Sequence, residues 1–301
     1  MEFWTIPFYM AAMYSIKDRS SDAFQLIQTI AHQEMLHVQL VANIGNAYGC
    51  KSIKFKPPIY LAHTIPHLDF ELDDPDPRDT YKPWSGLIGP MDEKRLNAML
   101  LLEFPLWVEP ETIDYHDDVT EYGSIGAFYK AVTVGAAQHA DQIKGNRRQV
   151  DLFSAYYNNL PQMTIENSGT DGIEAVVLLV KVICEQGEGA TKTVRHQIEY
   201  PYQNTADDRW PSLTHFSKLE KIQDLFNEDG LPETYPITEP SHYSKQQLEI
   251  ETNMLKQFDQ FRACLESQFN GENPDTFYNE MASTGAAIQN CWKNGVLPKF
   301  A

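Results

Sequence analysis

The stretch from Ile27 to Tyr48 constrains this chain most. Ile27, Ile30, Val41 and Ile44 recur at the three-and-four spacing that defines the buried stripe of a long amphipathic helix. Glu34 and His37 fall in the same register, so a carboxylate and an imidazole are aimed into the core one turn apart. An ionised carboxylate is costly there unless it is paired or bound to a metal. A lone Glu-x-x-His is adequately explained by a buried ion pair or a satisfied core histidine. The weight therefore rests on what the other segments place in their core registers.

Helical spacing returns along most of the chain. Residues 2 to 17 read as a first helix with Glu2, Ile6, Tyr9, Met13 and Ile16 in its seam, and Pro7 is tolerated near its start. Ser20, Ser21 and Asp22 cap a second helix that Gly49 closes. From Cys50 to Thr120 prolines are scattered among acids, which excludes long helices, although Met91 to Glu103 could form a short one. Tyr60, Phe70, Trp84, Phe104 and Trp107 are too many aromatics for a linker, so this part reads as an ordered insertion or lid over residues 50–120. Its His63, His67 and His116 read as loop or surface histidines.

Ser124 to Ile143 is helical, with His139 in its core register. In the helix from Ile173 to Glu188 the spacing groups Ile173, Val177, Val180, Cys184 and Glu188, and leaves Glu185 on a more polar face. Leu213 to Phe226 puts His215, Leu219, Ile222 and Phe226 in one seam and Glu220 outside it. A C-terminal helical pair over residues 244–295 starts at Ser244, and its second helix starts near Pro274. We expect one all-α domain over residues 1–301.

Four helices thus place Glu2, Glu34 with His37, Glu188 and His215 in apolar registers. Glu-x-x-His aimed into a bundle is the ligand pair of carboxylate-bridged di-iron and di-manganese proteins. Oxygen and imidazole donors suit iron, with manganese as the alternative, better than copper or structural zinc. One or two ions are expected. A formal charge of -18 and a pI near 4.8 argue against nucleic-acid and anionic-membrane partners. No apolar run reaches the roughly 20 residues that cross a bilayer. Phe3 to Met13 lacks a basic leader, and Cys50, Cys184, Cys264 and Cys291 are widely spaced, as in a reduced cytoplasmic protein.

Glu2-Phe3-Trp4-Thr5-Ile6-Pro7-Phe8-Tyr9, Tyr14-Ser15-Ile16-Lys17, Glu34-Met35-Leu36-His37, Glu185-Gln186-Gly187-Glu188-Gly189 and His215-Phe216, in that order, resemble the ferritin-like domain of iminophenyl-pyruvate dimer synthases. The resemblance covers most of the chain. It implies a ferritin-like bundle with a metal site, in pathways that oxidise amino-acid-derived small molecules. Ferritin-like di-iron sites carry a second Glu-x-x-His, whereas here Ser212 stands three residues before His215, and Glu185 is the candidate substitute.

The expected function is an oxidase or oxygenase using dioxygen and a small organic substrate. Glu34 and Glu188 would bridge or flank the metals, His37 and His215 would be nitrogen ligands, Glu2 a terminal carboxylate, and Tyr9 a hydrogen-bond donor in catalysis. Iron storage or ferroxidation, and a scaffold whose metal serves folding only, are the alternatives. A homo-oligomer is compatible with all three.

Overall fold

The computed structural model describes residues 2–65, 76–105, 122–153, 156–157, 163–187 and 208–301. Among them the chain is all-α, with helices α1 Glu2–Ser15, α2 Asp22–Ala47, α3 Pro77–Thr80, α4 Glu93–Leu102, α5 Ile125–Gln138, α6 Ile173–Gln186, α7 His215–Asp229, α8 Lys245–Phe269 and α9 Phe277–Lys293.

The helix α2 is the axis of the fold. Ser21 Oγ accepts from the Phe24 amide at its start, and Gly49 at φ +84° turns the chain away at its end. Its 26 residues span about 39 Å and contact α1, α6, α7 and α8. Such a position buries α2 on nearly every side. Ile27 and Ile30 are core residues as expected, but Val41 faces solvent. Polar residues on this helix then serve as anchors: Asn43 Nδ2 donates to the carbonyls of Val150 and Met163, and Asn46 Nδ2 to those of Arg148 and Phe269. These bonds tie the loop after α5 and the end of α8 to the central helix.

The helix α1 is apolar nearly all round and is enclosed, lying between α2 and α9. Its first turn is clamped from outside the four-helix core. Phe3 stacks on Phe55 and Phe258, Trp4 Nε1 donates to the Ile59 carbonyl, and Tyr60 Oη donates to the Trp4 carbonyl. Residues 50–65 therefore run as an extended strap over α1. The C-terminal pair α8–α9 closes the remaining side, with a capping box between Ser244 and Gln247 starting α8.

The proline-rich part is more helical than its composition implied. Asp92 Oδ1 accepts from the Arg95 amide to cap α4, whose Leu96, Met99, Leu100 and Leu102 are buried, and α4 packs on α7. Of the expectations in this region, those for Phe70, Trp107, His67 and His116 lie outside the described residues. His63 is exposed, as read from the sequence. His139, expected in the core, is also exposed, because α5 ends at Gln138 and the helical register stops one residue too early to bury it.

The largest difference concerns α6. Its buried residues are Val176, Leu179, Val180, Val182, Ile183, Glu185 and Gln186, while Val177 is exposed. The expected face was Ile173, Val177, Val180 and Cys184. Val176, Leu179, Ile183 and Gln186 follow the same three-and-four spacing one position further round, and apolar residues occupy both neighbouring faces, so spacing alone did not fix the phase. Glu185 is consequently buried rather than on a polar face.

Candidate metal centre

The centre lies where α1, α2, α7 and the end of α4 meet. Glu2 stands in the first turn of α1, and Glu34 and His37 share one face of α2. His215 is the first residue of α7, placed by Thr214, whose Oγ1 accepts from the Ser217 amide. Glu103 caps the C-terminal end of α4, with its amide bonded to the Met99 carbonyl. All five side chains are buried.

They form two clusters that share Glu34. In the first, His37 Nδ1 lies 3.6 Å from Glu2 Oε2 and 3.8 Å from Glu34 Oε1. In the second, His215 Nδ1 lies 3.1 Å from Glu34 Oε1 and 3.4 Å from Glu103 Oε1. Within each cluster one donor atom from every residue falls within 4.8 Å of the others. The two imidazoles face each other at 5.4 Å between centroids.

The surroundings set which atoms point inward. His37 Nε2 is 3.0 Å from Gln186 Oε1 and His215 Nε2 is 3.0 Å from Gln33 Oε1, so each ring donates its outer N–H to an amide oxygen and turns a bare Nδ1 toward the carboxylates. Thr5 donates to Glu34 Oε2 at 2.7 Å, Tyr129 to Glu2 Oε1 at 2.6 Å, and Tyr9 to Glu103 Oε1 at 2.5 Å. Every carboxylate is thus held by a hydroxyl, Glu2 and Glu34 on the oxygen turned away from the imidazoles and Glu103 on the oxygen that also faces His215.

Without a cation this arrangement is electrostatically poor. Burial, reinforced by the neighbouring Glu103 and Glu2 charges and only partly offset by His37, pushes the Glu34 carboxyl well above its usual range. For Glu2, burial works in the same direction, but in the metal-free protein a protonated His37 and the Tyr129 hydrogen bond outweigh it and hold the group low. Burial and the Glu103 charge push the Tyr9 phenol up, so it stays a donor.

The residues fit a metal. His215 Nδ1 is fully buried and makes no hydrogen bond, although two carboxylate oxygens lie within 3.4 Å of it. A lone pair facing two anionic oxygens is repulsive on its own and becomes favourable with a cation between them. Donors sharing one ion at about 2.0–2.2 Å sit roughly 3 Å apart when their bonds are at right angles, close to the separations found. Two divalent ions would also offset three buried carboxylates.

Of the residues singled out in the sequence, Glu2, Glu34, His37 and His215 are brought together, and Tyr9 touches the centre through Glu103. Glu188 lies outside the described residues. Glu185 is buried, 3.7 Å from Lys181 Nζ, and belongs to neither cluster. Glu220 is half-buried on α7 and also belongs to neither. Glu103 was missed. Its signal was present, since Leu96, Met99 or Leu100, and Glu103 follow three-and-four spacing in the short helix that the sequence did suggest.

No curated protein matched this chain. A solved structure described as a ferritin like protein from Caulobacter vibrioides is 36% identical, superposes with a TM-score of 0.83, and matches over 100% of this chain and 93% of that one. The family model named Ferritin-like matches residues 1–224, the span that contains all five residues of the two clusters. Fold, buried carboxylate and histidine clusters, and sequence agree: the chain belongs to the ferritin-like family.

Proposed function

We propose that this protein is a two-metal oxidase or oxygenase, loaded with iron, that acts with dioxygen on a small amino-acid-derived molecule, in keeping with its resemblance to iminophenyl-pyruvate dimer synthases. The observation that carries this reading is the pair of clusters sharing Glu34, each with a bare imidazole nitrogen directed at carboxylate oxygens. Glu2 and His37 would hold one ion, Glu103 and His215 the other, and Glu34 would bridge. Iron bound there would supply redox chemistry with dioxygen. The sequence-derived roles of Glu188, bridging or flanking the metals, and of Glu185, in place of the carboxylate that Ser212 lacks, remain part of the proposal.

The chain's own groups support such chemistry. Tyr9 and Tyr129 donate hydrogen bonds to the two terminal carboxylates and orient them. Phe104 and Phe216, each next in sequence to a cluster residue, meet edge to face at 5.9 Å, and Tyr81 packs against both. This aromatic group shields Glu103 and His215 from water, the role expected of part of a lid. Four free cysteines, and no helix among the described residues long and apolar enough to cross a membrane, suit a cytoplasmic enzyme.

The test is the metal content of anaerobically purified protein, followed by optical spectra and oxygen uptake with amino-acid-derived imines and aromatic amino acids. Two ions per chain and substrate-dependent oxygen consumption are expected. Iron loading far above two per chain would favour storage. Two ions without turnover of any such substrate would favour the scaffold role.

A further inference from the structure

Behind the second cluster lies a buried charged pair that the metal reading does not use. Lys218 is one turn beyond His215 on α7 and has no exposed surface. Its ammonium donates to Asp208 Oδ2 at 2.9 Å, and Asp208 Oδ1 accepts the Trp210 amide at 2.8 Å. The same ammonium lies 3.4 Å from Gln33 Oε1, the oxygen that faces His215 Nε2. Asp208, Lys218, Gln33 and His215 thus form one continuous polar chain ending at a cluster nitrogen.

We propose that Lys218, held by Asp208, is a positioning residue that locks the Gln33 amide oxygen toward His215 and thereby fixes the His215 tautomer with Nδ1 free for a metal. The argument is one of donor inventory. An amide can present oxygen or NH2 at nearly the same place, and its neighbours decide which. An ammonium only donates, so it accepts an oxygen beside it and rejects an NH2. With oxygen in place, His215 donates from Nε2, and the neutral ring that a metal takes is the one with Nδ1 bare. The lock has a visible cost: Gln33 Nε2 is buried and makes no hydrogen bond among the described residues. An unconstrained amide would turn to relieve that. The chain does not carry protons, because the Gln33 amide offers no exchangeable acidic proton between Lys218 and His215.

This inference rests on the two-metal reading, and two measurements separate their failures. Nitrogen-15 NMR of the imidazoles in metal-free wild-type protein reads the tautomer directly. His215 protonated at Nε2 is expected, and protonation at Nδ1 would overturn the lock whatever the protein binds. The second measurement is anaerobic cobalt(II) titration followed by ligand-field absorption, in wild type and in Lys218→Met combined with Asp208→Leu. The double variant avoids leaving an unpaired buried carboxylate. One equivalent should bind as in wild type, through Glu2 and His37. The other should weaken 10- to 100-fold, the usual effect of losing a group that orients a metal ligand. The variant's His215 should also become a mixture of tautomers. Unchanged titration in the folded variant, or equal weakening of both equivalents, would overturn the proposal. Failure of wild type to take up cobalt would sink the two-metal reading, and the tautomer would still decide the lock.

Discussion

Replacing Glu103 by Gln tests the division of the centre into two clusters, because Glu103 belongs to one of them and Glu34 to both. The substitution is nearly isosteric, and an amide oxygen can still accept from Tyr9. It also removes one of three mutually repelling buried carboxylates, so the metal-free fold should not suffer. The magnitude follows from linkage. A ligand at one hundred times its dissociation constant stabilises the folded state by about 2.7 kcal/mol per site. For 301 residues the unfolding entropy is about 0.6 kcal/mol per kelvin, which converts each site to roughly 4 °C of melting temperature. Wild type should therefore gain about 8 °C on saturation with manganese(II) under argon, Glu103→Gln about 4 °C, and Glu34→Gln almost nothing. Differential scanning calorimetry with and without metal provides the numbers. A full wild-type gain in Glu103→Gln would show that Glu103 holds no ion. Loss of the entire gain in that variant would show that the clusters do not load separately.

Three further outcomes are expected. The raised Glu34 carboxyl contributes stability to the metal-free protein below its unfolded value of 4.5 and loses it as pH rises toward the folded value, whereas a metal displaces the proton. The melting-temperature gap between loaded and metal-free protein should therefore widen from about pH 5 upward, and a flat gap would contradict the assignment. Tyr129→Phe removes the hydroxyl on Glu2 and should lower the metal-free melting temperature by about 2–5 °C, from about 1.5–3 kcal/mol for a hydrogen bond to a charged group; no change would mean that Glu2 finds another partner. Ser244→Ala removes the capping box of α8 at a cost of about 1 kcal/mol, and amide exchange should accelerate in the first turn of α8 while metal binding is untouched.

The sequence made the bundle legible because α2 and α7 are amphipathic, so their spacing points Glu34, His37 and His215 inward without ambiguity. Glu2 was legible for a different reason, since it is the only acid on an otherwise apolar helix. Where amphipathicity fades, the reading fails. In α6 two adjacent faces both carry apolar residues at helical spacing, and the phase that favoured Glu188 placed Glu185 outward, whereas Glu185 is buried. Glu103 was missed although the short helix over Met91 to Glu103 was read from the sequence, because its apolar stripe of Leu96, Met99 and Leu100 was not followed to the residue that ends it. The polar shell could not be read at all. Gln33, Gln186 and Lys218 owe their roles to contacts between segments more than 140 residues apart, to which local periodicity is blind.

The clamp on the first turn of α1 sets an order of events in time. Glu2 precedes its clamp in the chain: Phe3 rests on Phe258, Tyr60 holds the Trp4 carbonyl, and Phe300 packs against both Tyr60 and Phe258. Translation at about 5–20 residues per second separates His37 from Phe258 by roughly 10–45 s. During that interval the nascent chain gains Ile59, Tyr60 and Tyr129, which hold Trp4 and Glu2, but it still lacks the Phe258 and Phe300 side of the clamp. The clamp is therefore completed only after α8 has been made, and an ion captured before Glu103 and His215 are synthesised would meet an incomplete donor set.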